Sequence, residues 1–277
     1  MNYSRMMTVM RTDMKHLAQS KDFWIPMMLL GGIFFVLIPT ILLSIINSIG
    51  NVGAVQQVSQ ALQLLPQAAQ AAVPQGADAG TKVSYVLAVY LLAPIAVIVP
   101  LTISTAVGSS SIVGERERGT GEFLAHSPAG VKEIYLGKLI ASLIPGYLTT
   151  VVGFGLYSLM VNLIVGPDAG GWFFPTPSWW LLILWVLPPF LLIALSLVLR
   201  LSARVKSTAA AQQAAGLITF PLILIAYGQS TGALFGGAAV GVSIVMGAVA
   251  WIIGFVLLFS GMRSLTRARL LGVANEA

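Results

Sequence analysis

Long apolar blocks, separated by short polar or Gly- and Pro-rich stretches, are the dominant pattern along the chain. The blocks lack the alternation of polar and apolar residues that is typical of half-buried strands and of membrane β-barrels. A helix needs about 20 mostly apolar residues to cross a bilayer core. Six blocks meet this requirement, so we predict an all-α polytopic membrane protein with six transmembrane helices, at residues 24–49, 83–113, 134–165, 179–199, 211–229 and 237–259.

The second and third blocks are longer than a straight crossing requires. Proline interrupts both of them, since Pro94 and Pro100 lie in the second block and Pro145 lies in the third. Because proline removes a backbone donor and clashes with the preceding turn, we expect kinks in these helices or an extension beyond the membrane.

The composition agrees with a membrane protein. The chain has 277 residues, of which 57% are hydrophobic and 9% are charged, and its mean hydropathy is +0.90. A soluble domain carries about a quarter charged residues. The class of soluble globular domains is therefore excluded.

The positive charges indicate the orientation. Of the 15 lysines and arginines, all except Lys82 fall on one side of the predicted spans. The positive-inside rule therefore places both termini in the cytoplasm. The same distribution accounts for the net charge of +6 without a nucleic-acid partner.

The N-terminal residues 1–23 precede the first block. Met6, Met10, Met14 and Leu17 recur there at helical spacing, with charged residues elsewhere around the turn. This pattern predicts an amphipathic interfacial helix on the cytoplasmic surface of the membrane. A cytosolic helix that packs against the rest of the protein is the alternative.

The remaining regions follow from the topology. They are a transmembrane domain at 24–260, an outer loop at 50–82, a cytoplasmic loop at 114–133 and a basic cytoplasmic tail at 261–277.

The sequence offers no motif for its own energy supply. It contains no G-x-x-x-x-G-K-[ST] loop, so it lacks that device for cradling nucleotide phosphates. It has no cysteine and no His/Glu cluster, so we expect no metal or cofactor on this chain. The predicted spans carry ionisable residues only near their ends, whereas ion-coupled carriers usually need such residues inside the membrane. Energy for transport would therefore come from a partner.

Neutral polar residues within the spans are candidates for lining a pathway. Thr102, Thr105 and Ser109 share one face of the second helix, while Asn47 and Asn162 lie in the first and third. Hydroxyl groups in such helices also bond back to their own backbone or tighten helix packing, which is the alternative interpretation.

The stretch "GERERGTGEFLAHSPAG", residues 114–130, stands out because it concentrates charge between two apolar blocks. It also places Phe123 and Leu124 on a cytoplasmic loop, where an apolar pair with a charged rim is typical of a protein interface. Pro128 is expected to stop the helix that carries them. A solvated connector whose charges pair with one another is the alternative.

This stretch resembles the loop between spans two and three of type-2 ABC transporter permeases. The resemblance rests on a charged run, a G-T pair, a Glu, an S-P pair and a later G-K pair, which are Glu115, Arg116, Glu117, Arg118, Gly119, Thr120, Glu122, Ser127, Pro128, Gly137 and Lys138. Gly121 departs from the pattern, because the family often carries a residue there that favours a helix.

The resemblance implies the permease subunit of an ATP-driven exporter in a bacterial or archaeal plasma membrane. The loop would form a coupling helix that docks on a separate ATPase subunit, expected in two copies, which would carry the ATP and magnesium. A second permease copy, identical or related, would complete the pathway. The substrate would be amphipathic, lipid-like, a drug or a peptide. The alternatives are sodium efflux within the same family, a secondary carrier or a membrane scaffold.

Overall fold

The computed structural model describes residues 2–49, 78–230 and 239–271. Every regular element in these ranges is helical, which confirms the predicted all-α fold. In chain order they are α1 (Tyr3–Gln19), α2 (Lys21–Gly32), a π-helical turn (Ile33–Leu37), α3 (Ile38–Ile49), α4 (Ala79–Val86), a second π-helical turn (Leu87–Leu91), α5 (Ile95–Glu117), α6 (Gly121–His126), α7 (Val131–Ile164), α8 (Gly166–Ala169), α9 (Pro177–Leu181), a third π-helical turn (Leu182–Val186), α10 (Leu187–Ser202), α11 (Thr208–Ser230), α12 (Ala239–Ser264) and α13 (Arg267–Leu271).

In the described ranges, 6 helical segments are long and apolar enough to cross a membrane, which confirms the predicted number of spans. We call them spans 1 to 6, and their bounds are Lys21–Ile46, Gly80–Glu117, Val131–Ile164, Pro177–Ser202, Thr208–Ile225 and Gly241–Ser264. Span 2 continues beyond the predicted end at residue 113, because its charged last turn remains helical.

Parts of four predicted regions lie outside the described residues: 50–77 of the outer loop, 237–238 of the sixth block, 272–277 of the tail and residue 1 of the N-terminal segment. After the first of these gaps the chain resumes at Asp78, whose carboxylate accepts hydrogen bonds from the backbone of Gly80 and Thr81 and caps α4. A hydrogen bond from the Thr81 hydroxyl lowers the pKa of Asp78.

Proline interrupts span 2 as expected. The π-helical turn Leu87–Leu91 ends shortly before Pro94, and Pro94 caps the N-terminus of α5. Pro100 and Pro145, by contrast, lie inside α5 and α7 and leave these long helices continuous. Of the three prolines, only Pro94 therefore coincides with a break in the helix.

Spans 2, 3 and 4 form the centre of the bundle. In span 4, 72% of the apolar window is buried, whereas the value for span 5 is 17%. Spans 1, 5 and 6 expose large apolar side chains such as Leu217, Phe220 and Ile252. Apolar side chains on this outer surface are compatible with contact with lipid or another apolar partner.

Helix α1 packs along α7 at the end of the bundle that carries the loop between spans 2 and 3, which we call the loop end. Met6 is buried, and a Cβ on Gly137 would lie 2.9 Å from Val9, so the two backbones approach closely. One face of α1 thus packs on the protein, and its position on a membrane surface stays a prediction.

Candidate functional site: a braced helix at the loop end

The predicted coupling loop 114–133 begins with a glycine-dependent helix stop. The Thr120 amide donates to the Glu115 carbonyl at 2.8 Å, and the Gly119 amide donates to the Arg116 carbonyl at 3.0 Å. These two bonds form a Schellman motif, which places the glycine in the left-handed region. Gly119 has φ of +71°, and it thereby turns the chain out of span 2.

The next element, α6 (Gly121–His126), is the helix expected in this loop, and we call it the loop helix. It starts at Gly121 itself, so the glycine does not prevent the helix. A Cβ at this position would lie 3.1 Å from the Leu270 carbonyl oxygen, which shows that α13 packs closely here. The helix ends before Ser127 and Pro128, as predicted.

The loop helix has two different faces. Gly121 and Ala125 are buried, whereas Glu122 and His126 point outward. Phe123 is 80% exposed, more than any other large hydrophobic residue that the structure describes. Leu124 corrects the expectation of an exposed apolar pair, because it is half-buried against the buried cluster that includes Leu265 and Leu270.

Three of the four charged residues before the loop helix bond within the chain. The Arg116 guanidinium donates to the carbonyls of Ser202 and Val205 at the end of span 4, at 2.9 and 2.6 Å. The Glu117 carboxylate accepts from the backbone and hydroxyl of Thr208 at the start of span 5, at 2.9 and 2.8 Å. This charged run therefore ties the base of the loop to the bundle.

Glu115 belongs to a buried ion network. The Lys138 ammonium is 1% exposed and lies 3.2 Å from Glu115 and 3.1 Å from Asp13. The Thr120 hydroxyl also donates to the Glu115 carboxylate. A buried cation must be paired, and this one joins α1, span 2 and span 3.

Two arginines from the ends of the chain hold the far side of the loop helix. The Arg267 guanidinium on α13 donates to the carbonyls of Ala125 and Ala129, the latter at 3.3 Å. The Arg5 guanidinium on α1 donates to the Pro128 carbonyl at 2.8 Å. The last carbonyls of a helix lack intrahelical partners, and a cation there also matches the helix dipole.

The Ser-Pro pair and the residues after it complete the attachment. The Ser127 hydroxyl donates to the Leu124 carbonyl at 2.8 Å. The Glu133 carboxylate accepts from the backbone amides of Gly130, at 2.9 Å, and Asn2. The loop is thus connected to both termini as well as to spans 2, 3, 4 and 5.

These contacts leave a defined outward surface. Of the predicted coupling residues, Arg118, Gly119, Glu122, Phe123 and Pro128 are exposed. Glu117 is also exposed, although its carboxylate is held by Thr208. An aromatic side chain bordered by charges of both signs fits the anchor-and-rim arrangement of protein interfaces.

The candidate pathway residues bond mainly to the protein's own backbone. Thr102, Thr105 and Ser109 each donate to a carbonyl three or four residues earlier, and only Thr102 is exposed. Asn162 bonds to Phe173 and Phe174 and so fastens the loop after span 3. These bonds match the alternative interpretation of helix packing.

Asn47 lies in α3, and its side chain is outside what the structure describes. Its pathway role stays a prediction, as does that of the other four candidates. No group of His, Asp or Glu that could hold a metal ion occurs among the described residues.

Sequence reasoning missed the residues that brace the loop from a distance. The Arg267 contact to Ala125 joins positions 142 residues apart, and the Arg116 contact to Ser202 joins positions 86 apart. The G-K pair was identified in the sequence, but its structural role was not. Gly137 leaves room for the close approach of α1, and Lys138 forms an ion pair with Asp13 on α1. The position of Lys138 just inside an apolar block was the sequence feature that could have indicated an ion pair.

Comparison with known proteins gives one family. The family model described as "ABC-2 family transporter protein" matches residues 7–246. No curated protein matches the chain. The matched region includes α1 from residue 7 onward, the loop helix and spans 1 to 5.

Proposed function

The chain belongs to the ABC-2 family of transporter proteins, and from this membership we propose that it is the permease subunit of an ATP-driven exporter. As a multi-pass membrane protein of this family, it would form the pathway for the substrate, while a separate ATPase subunit would supply the energy. The observation that carries the proposal is the loop helix, which hydrogen bonds from Arg5 and Arg267 hold in place and on which Phe123 is 80% exposed.

The outward surface supports docking of an ATPase subunit. An exposed aromatic side chain gains free energy when a partner covers it, and aromatic residues are frequent anchors in interfaces. Glu122 precedes Phe123 in the loop helix, is exposed, and would orient the contact. We propose that the groove of the ATPase subunit receives Phe123, with Leu124 supporting it from below.

The bracing supports transmission of force. A displacement of the loop helix would pull on Arg116 and Glu117, and through them on the ends of spans 4 and 5. Lys138 would transmit the same displacement to α1 and span 3. Because packed interfaces switch between discrete arrangements, a small movement here would shift the spans between inward-facing and outward-facing states.

The proposed assembly contains two ATPase subunits, which carry the ATP and magnesium, and a second permease that is identical or related. The sequence lacks a phosphate-cradling loop, which supports this division of roles. We place the assembly in a bacterial or archaeal plasma membrane. An amphipathic or lipid-like molecule, a drug or a peptide suits spans whose inner residues are apolar with scattered hydroxyls.

Replacement of the anchor tests this proposal. Phe123→Ala should weaken binding of the ATPase subunit by about 2 kcal/mol, because interface anchors of this kind cost that much when truncated. Adding Glu122→Lys should weaken it further and make it more sensitive to salt. The measurement is the amount of ATPase subunit that co-purifies with the chain, together with transport in the same membranes.

Phe259→Ala is the matched control, because Phe259 is exposed on span 6, away from the loop. This control and the loop variants should reach the membrane in equal amounts, since none of these side chains is buried. Full transport and unchanged binding in the double variant would show that the loop is a solvated connector.

A further inference from the structure

A cavity of about 490 Å³ lies at the loop end, between α1, the start of span 1, and spans 2 and 3. Its walls come from the corner between α1 and α2, from the last turns of α5 and from the first third of α7. Of the residues on the outward surface, only Arg118 lines this cavity. It therefore requires an explanation of its own.

The cavity changes character with depth. His16 and Arg118 at its mouth are exposed, whereas Val107, Ala141 and Ser142 at its floor are buried. Val107 precedes Arg118 by three turns of the same stretch of helix, so floor and mouth are separated by roughly 16 Å along span 2. A charged mouth above an apolar and hydroxyl-bearing floor matches a molecule with a polar head and an apolar stem.

The charges at the mouth are of both signs and nearly balance. Asp13 and Glu115 carry two negative charges, while Lys138 pairs with both of them and Arg118 attracts Glu115. Asp13 uses its Oδ2 atom for Lys138, and a carboxylate has further acceptor sites. The Arg118 side chain donates no hydrogen bond to a described residue, although its charge attracts the carboxylates of Glu115 and Glu117.

A ligand with one phosphate and one primary ammonium fits this arrangement. The phosphodiester would accept from the Arg118 guanidinium, which is well suited to phosphate oxygens. The ammonium would donate to Asp13, where a quaternary ammonium has no hydrogen to give. Each of the two charges then meets its opposite, which a purely anionic headgroup does not achieve.

We propose that this cavity binds the headgroup of a phosphatidylethanolamine molecule from the membrane leaflet at the loop end. The phosphate binds Arg118, the ammonium binds Asp13, and the upper part of the acyl chains lies along Val107 and Phe23. The site belongs to one copy of the chain and does not depend on the proposed ATPase partner.

Native mass spectrometry of the purified full-length chain in detergent tests this proposal. The probes are phosphatidylethanolamine, phosphatidylcholine and phosphatidylglycerol with identical acyl chains. Loss of one charge-assisted contact at a partly exposed site corresponds to about fivefold in affinity. Each of the other two lipids lacks one of these contacts. We therefore expect phosphatidylethanolamine to be retained about fivefold more strongly than either of them.

Variants locate the site. Arg118→Gln should reduce retention of phosphatidylethanolamine by about fivefold, whereas Arg204→Gln, which removes an exposed arginine elsewhere at the loop end, should not. Ser111→Phe should abolish retention by filling the cavity, and Arg118→Gln tests the site independently because its side chain is exposed.

Several results would overturn the proposal. Equal retention of the three lipids would exclude recognition of the ammonium, and preference for phosphatidylglycerol would indicate an anionic ligand. Unchanged retention in Arg118→Gln would place the lipid elsewhere. Competition by soluble glycerophosphoethanolamine as strong as by the lipid would indicate a free phosphate compound. Since no ATPase subunit is present, each result leaves the proposed transport function untouched.

Discussion

At the scale of single residues, Gly119 and Phe123 supply the two properties on which the loop helix depends. Gly119 adopts a left-handed backbone conformation that ends span 2, and Phe123 presents its side chain outward from the next turn. The conformation of Gly119 depends on the absence of a Cβ, and the role of Phe123 depends on its exposed ring. Substitution by another residue type should therefore disturb either one.

Gly119→Ala should therefore destabilise the loop by about 1 kcal/mol, the usual cost of a left-handed conformation for a residue with a Cβ. Nothing lies within 4 Å of the added Cβ, so the cost is one of backbone strain. Hydrogen exchange of the amides of 119–126 measures the effect, which we expect to be faster by about fivefold.

Gly155→Ala is the matched control, since Gly155 lies inside α7 and its added Cβ also meets nothing within 4 Å. Alanine favours a helix over glycine by up to about 1 kcal/mol, so this variant should be neutral or more stable. The account of the turn is wrong if both variants leave exchange of the loop unchanged.

The sequence predicted residues whose significance is local, and it missed those that act over a distance. Pro128 as a helix stop and the outward Phe123 were recognisable from neighbours in the chain, whereas Gly119 was named only through the family resemblance and its turn was not predicted. The exposure of Leu124 was wrongly predicted, because it packs against a cluster that includes Leu265 and Leu270, which are distant in the chain. Such packing has no signal within the loop itself.

At the scale of elements, the loop helix is stable because other elements satisfy its ends. A helix of six residues is too short to be stable alone in water. Arg267 from α13 and Arg5 from α1 bond to carbonyls at and beyond its C-terminal end. The helix therefore depends on both termini of the chain for its position.

Arg267→Gln should release this end of the loop helix. Loss of the cationic donor at a partly exposed site corresponds to about 1 kcal/mol, so we expect the ATPase subunit to bind about fivefold more weakly. Arg263→Gln is the matched control, because Arg263 is an exposed arginine at the end of α12. Equal binding by the two variants would show that α13 does not position the helix.

The elements themselves were largely predictable. Apolar length is a local property, so the six spans and the loop helix followed from the sequence, with ends that shifted by a few residues. The packing of α13 on the loop helix was not predictable, since the segments lie more than 130 residues apart in the chain. The tail had been recognised only as basic.

At the scale of the whole molecule, the bundle places its network of charged side chains at one end and a cluster of packed aromatic rings at the other. Arg116, Lys138 and Arg267 lie at the loop end, whereas Asn162 and Phe174 lie at the opposite end. The positive-inside rule predicts that the loop end faces the cytoplasm. The proposed partner, which consumes ATP, requires the same orientation.

Single cysteines test this orientation cleanly, because the chain contains none of its own. A cysteine at Ala169 should react with a membrane-impermeant thiol reagent added outside intact cells, while one at Ser207 should not. Both should react after the cells are opened. Labelling of the cysteine at Ser207 in intact cells would reverse the orientation and place the loop helix on the wrong side for an ATPase.

The central claim is that the loop helix docks on an ATPase subunit, and site-specific photo-crosslinking measures this directly. Replacing Phe123 by benzoylphenylalanine keeps an aromatic ring at the proposed anchor, and the same replacement of Trp172, 68% exposed at the opposite end, is the control. In membranes that contain the ATPase subunit, position 123 should crosslink to it and position 172 should not. An intact complex with no crosslink from position 123, or with one from position 172, would contradict the account.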